Sequence, residues 1–425
     1  MKYLNCFNSR LLSCRNIIMF IKELSLTNFR IYQHLEANIP EGNLILVGRN
    51  AQGKTSLLEA IYYLAGAQSP HKGSHRQLIH WLSSKEDEQP YLRVGGKFEI
   101  GNEIRRVEIV VQSNSSTMDG PNRIRKDVVI DGVNKNNSSL NELVNVVMFL
   151  PQNMILVEGS PSDRRNYLDR TLSQIDSTYA RSVRNYYKVL SQRNSLLKTL
   201  QGKYQENAKE LEFWDNKLCD IGSVVMGSRA RALFEISNYV NKIHTDFTDG
   251  SEYLELKYFP GYDKSTGGGN QLSLGLEAPF TSSVLQEDSE IASGMQNNLI
   301  QLRSEEIRRG VTLIGPHRDD FRFIMSGFDL GVFGSRGQGR TAVLSLKFAE
   351  MEWMYHRSGD WPILLLDEVL AELDLQRRSD LLNRLYDADQ VIVTTTDKGM
   401  IPDQFTRRAR IWQVSGGTLK ADSSG

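Results

Sequence analysis

The order of apolar and polar residues near the start of the chain predicts strands followed by a helix. From Phe20 the segment FIKELSLTNFRIYQHLEANIPEGNLILVG alternates with period two and then becomes an apolar run that ends in glycine. This pattern predicts half-buried strands, a fully buried strand and a loop. Apolar residues from Thr55 to Leu64 then follow helical spacing. The order strand, loop and helix favours an α/β fold class.

Two tight turns interrupt the next strand-like segments. KFEIGNEIRRVEIVV carries Gly-Asn between two apolar runs, and DVVIDGVNKN carries Asp-Gly. Such dipeptides between alternating apolar residues predict antiparallel hairpins, here over roughly 90 to 135. The polar stretch QSNSSTMDGPNR between them is typical of a loop.

The middle of the chain changes to a helical pattern. From about Ser162 to Ile243 there is no proline, and apolar residues recur at three- and four-residue spacing, which predicts helices. A turn-rich segment follows, with one clear strand and a predicted flexible loop at Gly267 to Gly269. A helix around 284 to 309 precedes a final region that alternates helix and strand.

Charge and cysteine usage exclude some classes of protein. The 51 Lys and Arg residues balance 51 Asp and Glu residues, so any nucleic-acid surface must be local. No apolar run approaches the roughly 20 residues that span a bilayer. Cys6, Cys14 and Cys219 lack the spacing of a metal site or a disulfide scaffold. We therefore expect a cytoplasmic protein without a membrane partner.

The first 18 residues are basic and contain no acid, as targeting segments often do. They have no long apolar core and no small-residue cleavage site. We expect residues 1–18 to be a disordered or mis-assigned extension, with translation beginning at Met19.

A phosphate-binding loop follows the buried strand. The sequence matches G-x-x-x-x-G-K-[ST] in full, through Gly48, Arg49, Asn50, Ala51, Gln52, Gly53, Lys54 and Thr55, with Ser56 next. Backbone N–H groups of such a loop and the following helix N-terminus face phosphates, the lysine neutralises them and the hydroxyl binds Mg²⁺. The strand before and the helix after favour this interpretation over a chance glycine turn. The expected cofactors are ATP and Mg²⁺.

A second segment completes the nucleotide chemistry. In ILLLDEVLAELD a buried strand ends at Asp367 and Glu368, and ligands bind at the carboxyl ends of strands in open α/β sheets. Asp367 is placed to hold Mg²⁺ and Glu368 to polarise the attacking water. Without the phosphate loop, the better interpretation of these two acids would be ordinary solvated residues at the end of a strand.

The distance between the two motifs predicts a split domain. Asp367 follows Lys54 by roughly twice the length of a typical domain. We expect a head formed by residues 19–161 and 305–425, and an inserted helical arm, residues 162–304. Before the second motif, SRGQGRTAVLSLKFAE opens a long helix at Ser335, Gly337, Gln338 and Gly339. That start is either a second anion site or a plain helix cap.

The motifs together resemble the ABC-type ATPase heads of the SMC superfamily and, within it, the RecF family of bacterial recombination and gap-repair proteins. The resemblance runs from about Met19 to the C-terminus. It is carried by LTNFR, GRNAQGKTSLLEAIYYLA, FLPQNMILVEGSPSDRRNYLDR, YYKVLSQRNSLLK, GPHRDDF, SRGQGRTAVLSLKFAE and LLLDEVLAELD.

The resemblance implies a head-to-tail dimer with two ATP molecules between one subunit's phosphate loop and the other's signature segment. Ser335, Gly337 and Gln338 would be the signature contacts. Gln152 would sense Mg²⁺ and water beside the catalytic Lys54 and Glu368, and Asp374 would act across the interface. Arg30, in the strand leading to the loop, would be a basic residue near the nucleotide.

One departure from the ABC pattern concerns the γ-phosphate switch. Many ABC ATPases have a histidine after the last core strand, whereas this chain has Thr394, Thr395, Thr396 and Asp397. Thr396 and Asp397 are the candidates for its replacement.

A basic helix is the candidate DNA surface. Residues 181 to 203 contain six basic residues and no acid. Arg181, Arg184 and Lys188 share one face, opposite a face of Val183, Tyr186, Leu190 and Leu197. A solvated face is the more common explanation of a charge run, but the resemblance favours DNA. Lys72 and Arg76 form a second candidate, whereas His71 and His75 lack the ligands that would complete a metal site.

The resulting hypothesis is a weak, DNA-dependent ATPase that binds duplex DNA, gapped or at a junction, as an ATP-dependent homodimer. The resemblance alone implies partnership with RecR, and through it RecO and loading of RecA. The alternatives are a transporter-coupling ATPase and a purely structural ATP-binding dimer.

Overall fold

The computed structural model describes residues 18–70, 75–80, 90–114, 123–141, 143–201, 208–262, 286–373 and 375–421. The chain divides into two compact units, one of residues 1–151 with 354–425 and one of residues 152–353. The split between head 19–161 with 305–425 and arm 162–304 stays a prediction. The first 17 residues, most of the 112–123 loop and Gly267–Gly269 lie outside the described residues.

In its described residues, the N-terminal part of the first unit is mainly β-structure packed around the helix α1. Its elements are β1 (Met19–Phe29), β2 (Tyr32–Asn38), β3 (Gly42–Val47), α1 (Lys54–Gly66), β4 (Tyr91–Ile100), β5 (Glu103–Asn114), β6 (Arg123–Ile130), β7 (Val133–Lys135) and β8 (Val146–Phe149). The predicted strands and the helix after the loop are confirmed. Asp131 and Gly132 have φ of 50° and 80°, as a two-residue hairpin turn requires.

The second unit is mainly helical. Its elements are α2 (Ile155–Glu158), α3 (Pro161–Ile175), α4 (Ser177–Leu200), α5 (Ala208–Phe247), β9 (Leu254–Phe259), α6 (Asp288–Arg309), β10 (Asp320–Met325), β11 (Phe328–Asp329) and α7 (Leu330–Phe333), with most of α8 (Arg336–Ser358). The predicted helical block and the single strand after it are confirmed. Strands β11, β10 and β9 form a small antiparallel sheet.

The C-terminal part returns to the first unit and alternates strand and helix as predicted. Its elements are β12 (Ile363–Asp367), α9 (Leu375–Arg384), β13 (Gln390–Thr395), α10 (Asp403–Thr406), β14 (Ala409–Ser415) and β15 (Thr418–Ala421).

Two six-stranded sheets build the first unit. One has the order β2-β1-β4-β5-β6-β7 and is antiparallel, whereas the other has the order β15-β14-β3-β13-β12-β8. In the second sheet every pair from β14 to β8 is parallel. Because β3 pairs with both β13 and β14, the carboxyl ends of strands from both ends of the sequence meet at one edge. The phosphate loop follows β3 at that edge, and Asp367 is the last residue of β12 there.

A single apolar core holds α1 to the two sheets. Leu57 and Ile61 of α1 are fully buried with Leu46 of β3, Phe98 of β4 and Leu365 of β12. Burying a side chain of this size contributes roughly 1.5–3 kcal/mol, so α1 is fixed by packing, and the loop at its N-terminus is fixed with it.

Within the described residues, we find no helix with the length and apolar character that crossing a bilayer would require.

Candidate nucleotide site and signature segment

The loop between β3 and α1 has the backbone that a phosphate cradle needs. Gly53 has φ of 110°, and a Cβ there would lie 2.8 Å from the hydroxyl of Tyr32. A Cβ on Gly48 would lie 2.4 Å from the carbonyl oxygen of Val414. Both glycines are therefore required by conformation or by close approach of another strand, which explains their positions in the motif.

Lys54, the first residue of α1, reaches back over the loop. Its side chain is only 3% exposed. Its Nζ donates to the carbonyl oxygens of Gly48 at 2.7 Å and Arg49 at 3.0 Å, and it lies 3.0 Å from Oε1 of Glu368. The ammonium is thus held at the centre of the loop, where its charge can neutralise phosphate oxygens.

Thr55 and Asp367 bring the two motifs into contact. The Thr55 hydroxyl lies 2.9 Å from Oδ1 and 2.8 Å from Oδ2 of Asp367, although 312 positions separate them. A hydroxyl and a carboxylate are hard oxygen donors of the kind that Mg²⁺ prefers, usually with phosphate oxygens and water. The donor set therefore fits Mg²⁺, and these two side chains would hold it.

Glu368 follows Asp367 in an unusual backbone conformation. Its φ of 51° is left-handed, which is uncommon for a non-glycine residue and costs on the order of 1–3 kcal/mol. The side chain is 34% exposed and contacts Lys54. The carboxylate is therefore partly open to solvent beside the phosphate loop, where it can reach a water molecule.

A cavity of about 220 Å³ lies over the loop. Its lining consists of Ile31, Asn50, Ala51, Gly53, Lys54, Thr55, Ser56 and Glu368. The cavity thus unites both motifs. Gln52 instead accepts a 2.8 Å hydrogen bond at Oε1 from the Gly416 N–H, so it ties the loop to the turn between β14 and β15.

Two residues around the site were not predicted from the sequence. Thr394, at 0% exposure, donates to Oδ1 of Asp367 at 2.8 Å and accepts from the Glu368 N–H at 3.0 Å. Glu59, at 2% exposure, binds Arg30 through both carboxylate oxygens at 2.8 and 2.9 Å. In the sequence, Glu59 could have been noticed as an acid on the apolar face of α1, whereas no local sequence pattern points to Thr394.

The expectation that Arg30 lies in a strand is wrong. Arg30 lies in the turn between β1 and β2 with φ of 53°. Its backbone N–H donates to Leu78 O at 2.7 Å. Its guanidinium also donates to Gln77 O at 3.1 Å. Its role beside the nucleotide stays a prediction.

The last two residues of β13 and the two residues after it differ in exposure. Thr394 and Thr395 are buried, whereas Thr396 and Asp397 are exposed. Asp397 Oδ1 accepts from the Gly399 N–H at 2.8 Å. The assignment of the γ-phosphate switch to Thr396 or Asp397 stays a prediction.

The second unit holds the signature segment at the start of α8, the helix predicted there. The Ser335 N–H donates to Gln338 Oε1 at 3.0 Å, and the Gln338 N–H donates to Ser335 Oγ at 3.2 Å. This reciprocal pair is a capping box. Gln338 Nε2 also donates to Glu252 at 2.8 Å. Ser335 and Gly337 are exposed, so the helix start is both well formed and open to a partner.

Four further predicted residues have roles that stay predictions. Gln152 is exposed and belongs to the second unit, and its place relative to the phosphate loop stays a prediction. Asp374 and Lys72 lie outside the described residues. Arg76, in the first unit, is exposed.

The predicted amphipathic character of α4 is confirmed. Arg181, Arg184 and Lys188 are exposed, whereas Tyr186 and Leu190 are buried. The hydroxyl of Tyr186 lies 2.7 Å from Nδ1 of His317. The face of Arg181, Arg184 and Lys188 is therefore a local basic surface on a protein of zero net charge.

One member of the basic run does not belong to that surface. Arg193 is 0% exposed and donates to Asp215 at 2.8 Å, to Glu306 at 2.6 Å and to the Thr312 hydroxyl at 2.8 Å. Its charge is neutralised inside the second unit. The count of six basic residues therefore overstates the charge available to a polyanion.

Comparisons with known proteins identify the family of the chain. The family described as RecF/RecN/SMC N terminal domain matches residues 20–420. The DNA replication and repair protein RecF of Chloroflexus aggregans is 38% identical over 409 residues, covering 95% of this chain and 100% of that protein. The corresponding protein of Roseiflexus castenholzii is 37% identical, covering 94% and 99%.

A solved structure of the recombination mediator protein RecF-ATP in the RecFOR pathway matches the fold with a TM-score of 0.79. It is 27% identical, and the match covers 96% of this chain and 99% of that one. The conserved length and the complete pair of nucleotide motifs lead to one conclusion: the chain belongs to the RecF family, within the RecF/RecN/SMC group of ATPase heads.

Proposed function

We propose that this protein is an ATP-dependent DNA-binding protein of recombinational and gap repair. The observation that carries the proposal is the contact of Thr55 with both oxygens of Asp367. It joins the phosphate loop to the acid that would bind the metal, beside a cavity that Lys54, Thr55 and Glu368 line. The printed descriptions of the relatives, DNA replication and repair and RecF-ATP, support the choice of nucleotide and process.

The chemical step would be phosphoryl transfer to water. Mg²⁺, when bound, would neutralise charge that develops on the phosphate oxygens. Thr55 and Asp367 would hold that ion, and Lys54 would stabilise the same negative charge from the loop. Glu368 would orient and polarise the attacking water. Gln152 would sense both the ion and that water.

ATP would act as a switch of assembly. Ser335, Gly337 and Gln338 are presented at an exposed helix N-terminus, which is suited to a phosphate. In a head-to-tail homodimer each such start would meet the nucleotide of the other subunit, with Asp374 across the interface. Slow, DNA-dependent hydrolysis would open the dimer.

DNA would bind the basic face of α4 without readout of sequence. Arg181, Arg184 and Lys188 are exposed on one face, as contacts to duplex phosphates require, and Lys72 and Arg76 would add a second contact region. We propose a duplex near a single-strand junction as the substrate, RecR as the partner, and RecO with loading of RecA as the later steps. We expect this to occur in the cytoplasm, without a membrane.

The deciding experiment is sedimentation velocity of Glu368→Gln with and without Mg²⁺ and ATP, and with a gapped duplex in a parallel run. We expect an ATP-dependent dimer that co-sediments with the DNA, because the variant binds ATP but hydrolyses it slowly. Lys54→Ala is the control that should remain a monomer. A Glu368→Gln protein that stays monomeric with saturating ATP would reject the dimer switch.

A further inference from the structure

The Thr394 hydroxyl is shared between the two acidic residues of the site. It donates to Oδ1 of Asp367 at 2.8 Å and accepts the N–H of Glu368 at 3.0 Å. A backbone N–H can only donate, so the hydroxyl hydrogen is left for the carboxylate. One oxygen atom thus links Asp367 with the next residue.

The sheet places this hydroxyl in position. Asp367 and Thr394 are register partners at the carboxyl ends of the parallel strands β12 and β13. Thr394 is fully buried, so packing restricts its rotamer, and its branched Cβ restricts χ1 further. The core of the sheet therefore sets the position of Thr394. Its hydroxyl in turn contacts Asp367, the last residue of β12, and Glu368, the next residue.

The two hydrogen bonds of the Thr394 hydroxyl hold two different groups in place. Asp367 has two carboxylate oxygens that both lie near Thr55, and the bond from Thr394 fixes how that carboxylate rotates. Glu368 leaves the strand with φ of 51°, and the bond from its N–H stabilises this strained turn. Loss of the hydroxyl would remove one restraint on the rotation of Asp367, which Thr55 also contacts, and one on the direction of Glu368, which Lys54 also contacts.

We propose that Thr394 is a positioning residue, which sets the metal-binding carboxylate and the water-polarising carboxylate relative to one another. The inference rests on the proposed roles of Asp367 and Glu368 in ATP hydrolysis. It does not depend on the dimer, on DNA or on the signature segment. It differs from the γ-phosphate switch, for which Thr396 and Asp397 are the candidates.

The test compares Thr394→Val with Thr394→Ser. Valine keeps the shape and strand preference but lacks the hydroxyl, whereas serine keeps the hydroxyl. Thr171→Val is the matched control, because Thr171 is 1% exposed and donates its hydroxyl to Glu350 at 2.7 Å in the other compact unit. It measures the cost of losing a buried threonine–carboxylate bond away from the two acids.

The readouts are kcat and KM for ATP as Mg²⁺ is titrated, and binding of a fluorescent ATP analogue in Mg²⁺ and in EDTA. For Thr394→Val we expect kcat to fall by about tenfold or more, and the Mg²⁺ concentration for half-maximal analogue binding to rise by about tenfold, as loss of a metal site's supporting hydrogen bond commonly does. Analogue binding in EDTA should change little. Thr394→Ser should restore most of both losses, and Thr171→Val should cause neither.

Equal losses in Thr394→Val and Thr171→Val, or no rescue by serine, would overturn the proposal. If Thr394→Val does not fold, Thr394→Ala replaces it with the same expectations. A wild-type protein that hydrolyses ATP but never dimerises or binds DNA would reject the proposed function and leave this test intact. A normal Mg²⁺ requirement in Thr394→Val would reject only the positioning role.

Discussion

The guanidinium of Arg193 on α4 lies 2.6 Å from the carboxylate of Glu306 on α6, and both side chains are 0% exposed. Asp215 closes the group on the other side of Arg193 at 2.8 Å. Burial raises the pKa of Glu306, and Arg193 opposes that shift. The three side chains therefore join α4, α5 and α6 through charges that depend on one another.

Removal of Arg193 should destabilise the protein strongly. Arg193→Met would leave Glu306 buried without its cation and Asp215 paired with Arg303 alone. Breaking such a group typically costs about 3–5 kcal/mol in the free energy of unfolding. Urea denaturation followed by circular dichroism measures the loss. Arg308→Met on the exposed end of α6 is the control, with a change below about 1 kcal/mol. A similar small change at Arg193 would contradict the interpretation.

Lys54→Ala should abolish nucleotide binding. Among the described residues that line the cavity, Lys54 is the one cation. The variant therefore removes the ammonium that would neutralise the phosphate oxygens. Fluorescence anisotropy of a labelled ATP analogue measures the affinity. Lys22→Ala should bind as the wild type does, because Lys22 forms a partly exposed pair with Glu99. Wild-type affinity in Lys54→Ala would remove the assignment of the loop.

Ser335→Arg should bind ATP normally yet fail to dimerise. The added side chain would occupy the exposed helix start that the partner's nucleotide is proposed to meet. Loss of the cap alone costs roughly 1 kcal/mol, so Ser335→Ala separates this effect and should still dimerise with ATP. Sedimentation velocity distinguishes the two. Dimerisation of Ser335→Arg equal to that of wild type would reject the contact across the interface.

The triple change of Arg181, Arg184 and Lys188 to alanine should flatten the salt dependence of duplex binding. Each lost phosphate contact lowers the slope of log K against log salt by roughly 0.9. Affinity measured at several salt concentrations gives this slope. Arg308→Ala with Arg309→Ala serves as the control, because these exposed arginines pair with Glu305. A slope unchanged by the triple variant would place the DNA on another surface.

Acidification should weaken the fold through His317. Its Nε2 donates to Thr312 O at 3.1 Å, which leaves Nδ1 to accept from the Tyr186 hydroxyl. Burial lowers the pKa of His317 to about 4. Because the unfolded state binds this proton near pH 6.5, the histidine's contribution is present above that pH and is lost as pH falls toward 4.

His317→Gln should therefore lose less stability than wild type between pH 6.5 and 4.5. Glutamine can make both hydrogen bonds but does not titrate in this range. Urea denaturation at several pH values gives the free energy of unfolding of each protein. The pKa of the neighbouring Asp319 is raised to about 6 by burial, so it acts in the opposite direction, but in both proteins. Parallel pH profiles would contradict the neutral assignment of His317.

Local motifs made the nucleotide site predictable, whereas its supporting contacts depend on distant parts of the chain. The residues from Gly48 to Thr55 are contiguous, and Asp367 ends an unmistakable apolar run. Thr394 meets Asp367 only through the register of two strands 27 positions apart. In the sequence, Arg193 has the pattern of an exposed cation. Its contact with Glu306, which lies 113 positions later, forms only when the chain folds. The periodicity of apolar residues identifies the buried and exposed faces of a helix or strand. Contacts between side chains of distant elements become known only from the folded structure.

The position of β3 in the parallel sheet affects how the protein is made. Strand β3 is complete after Val47, yet its two sheet neighbours, β13 and β14, do not begin until Gln390 and Ala409. A chain emerging from the ribosome must therefore keep its phosphate loop beside an unpaired apolar strand for most of synthesis. At about 5–20 residues per second this exposure lasts tens of seconds. We therefore expect the apolar side chains of β3 to stay accessible to chaperones until β13 and β14 have been made.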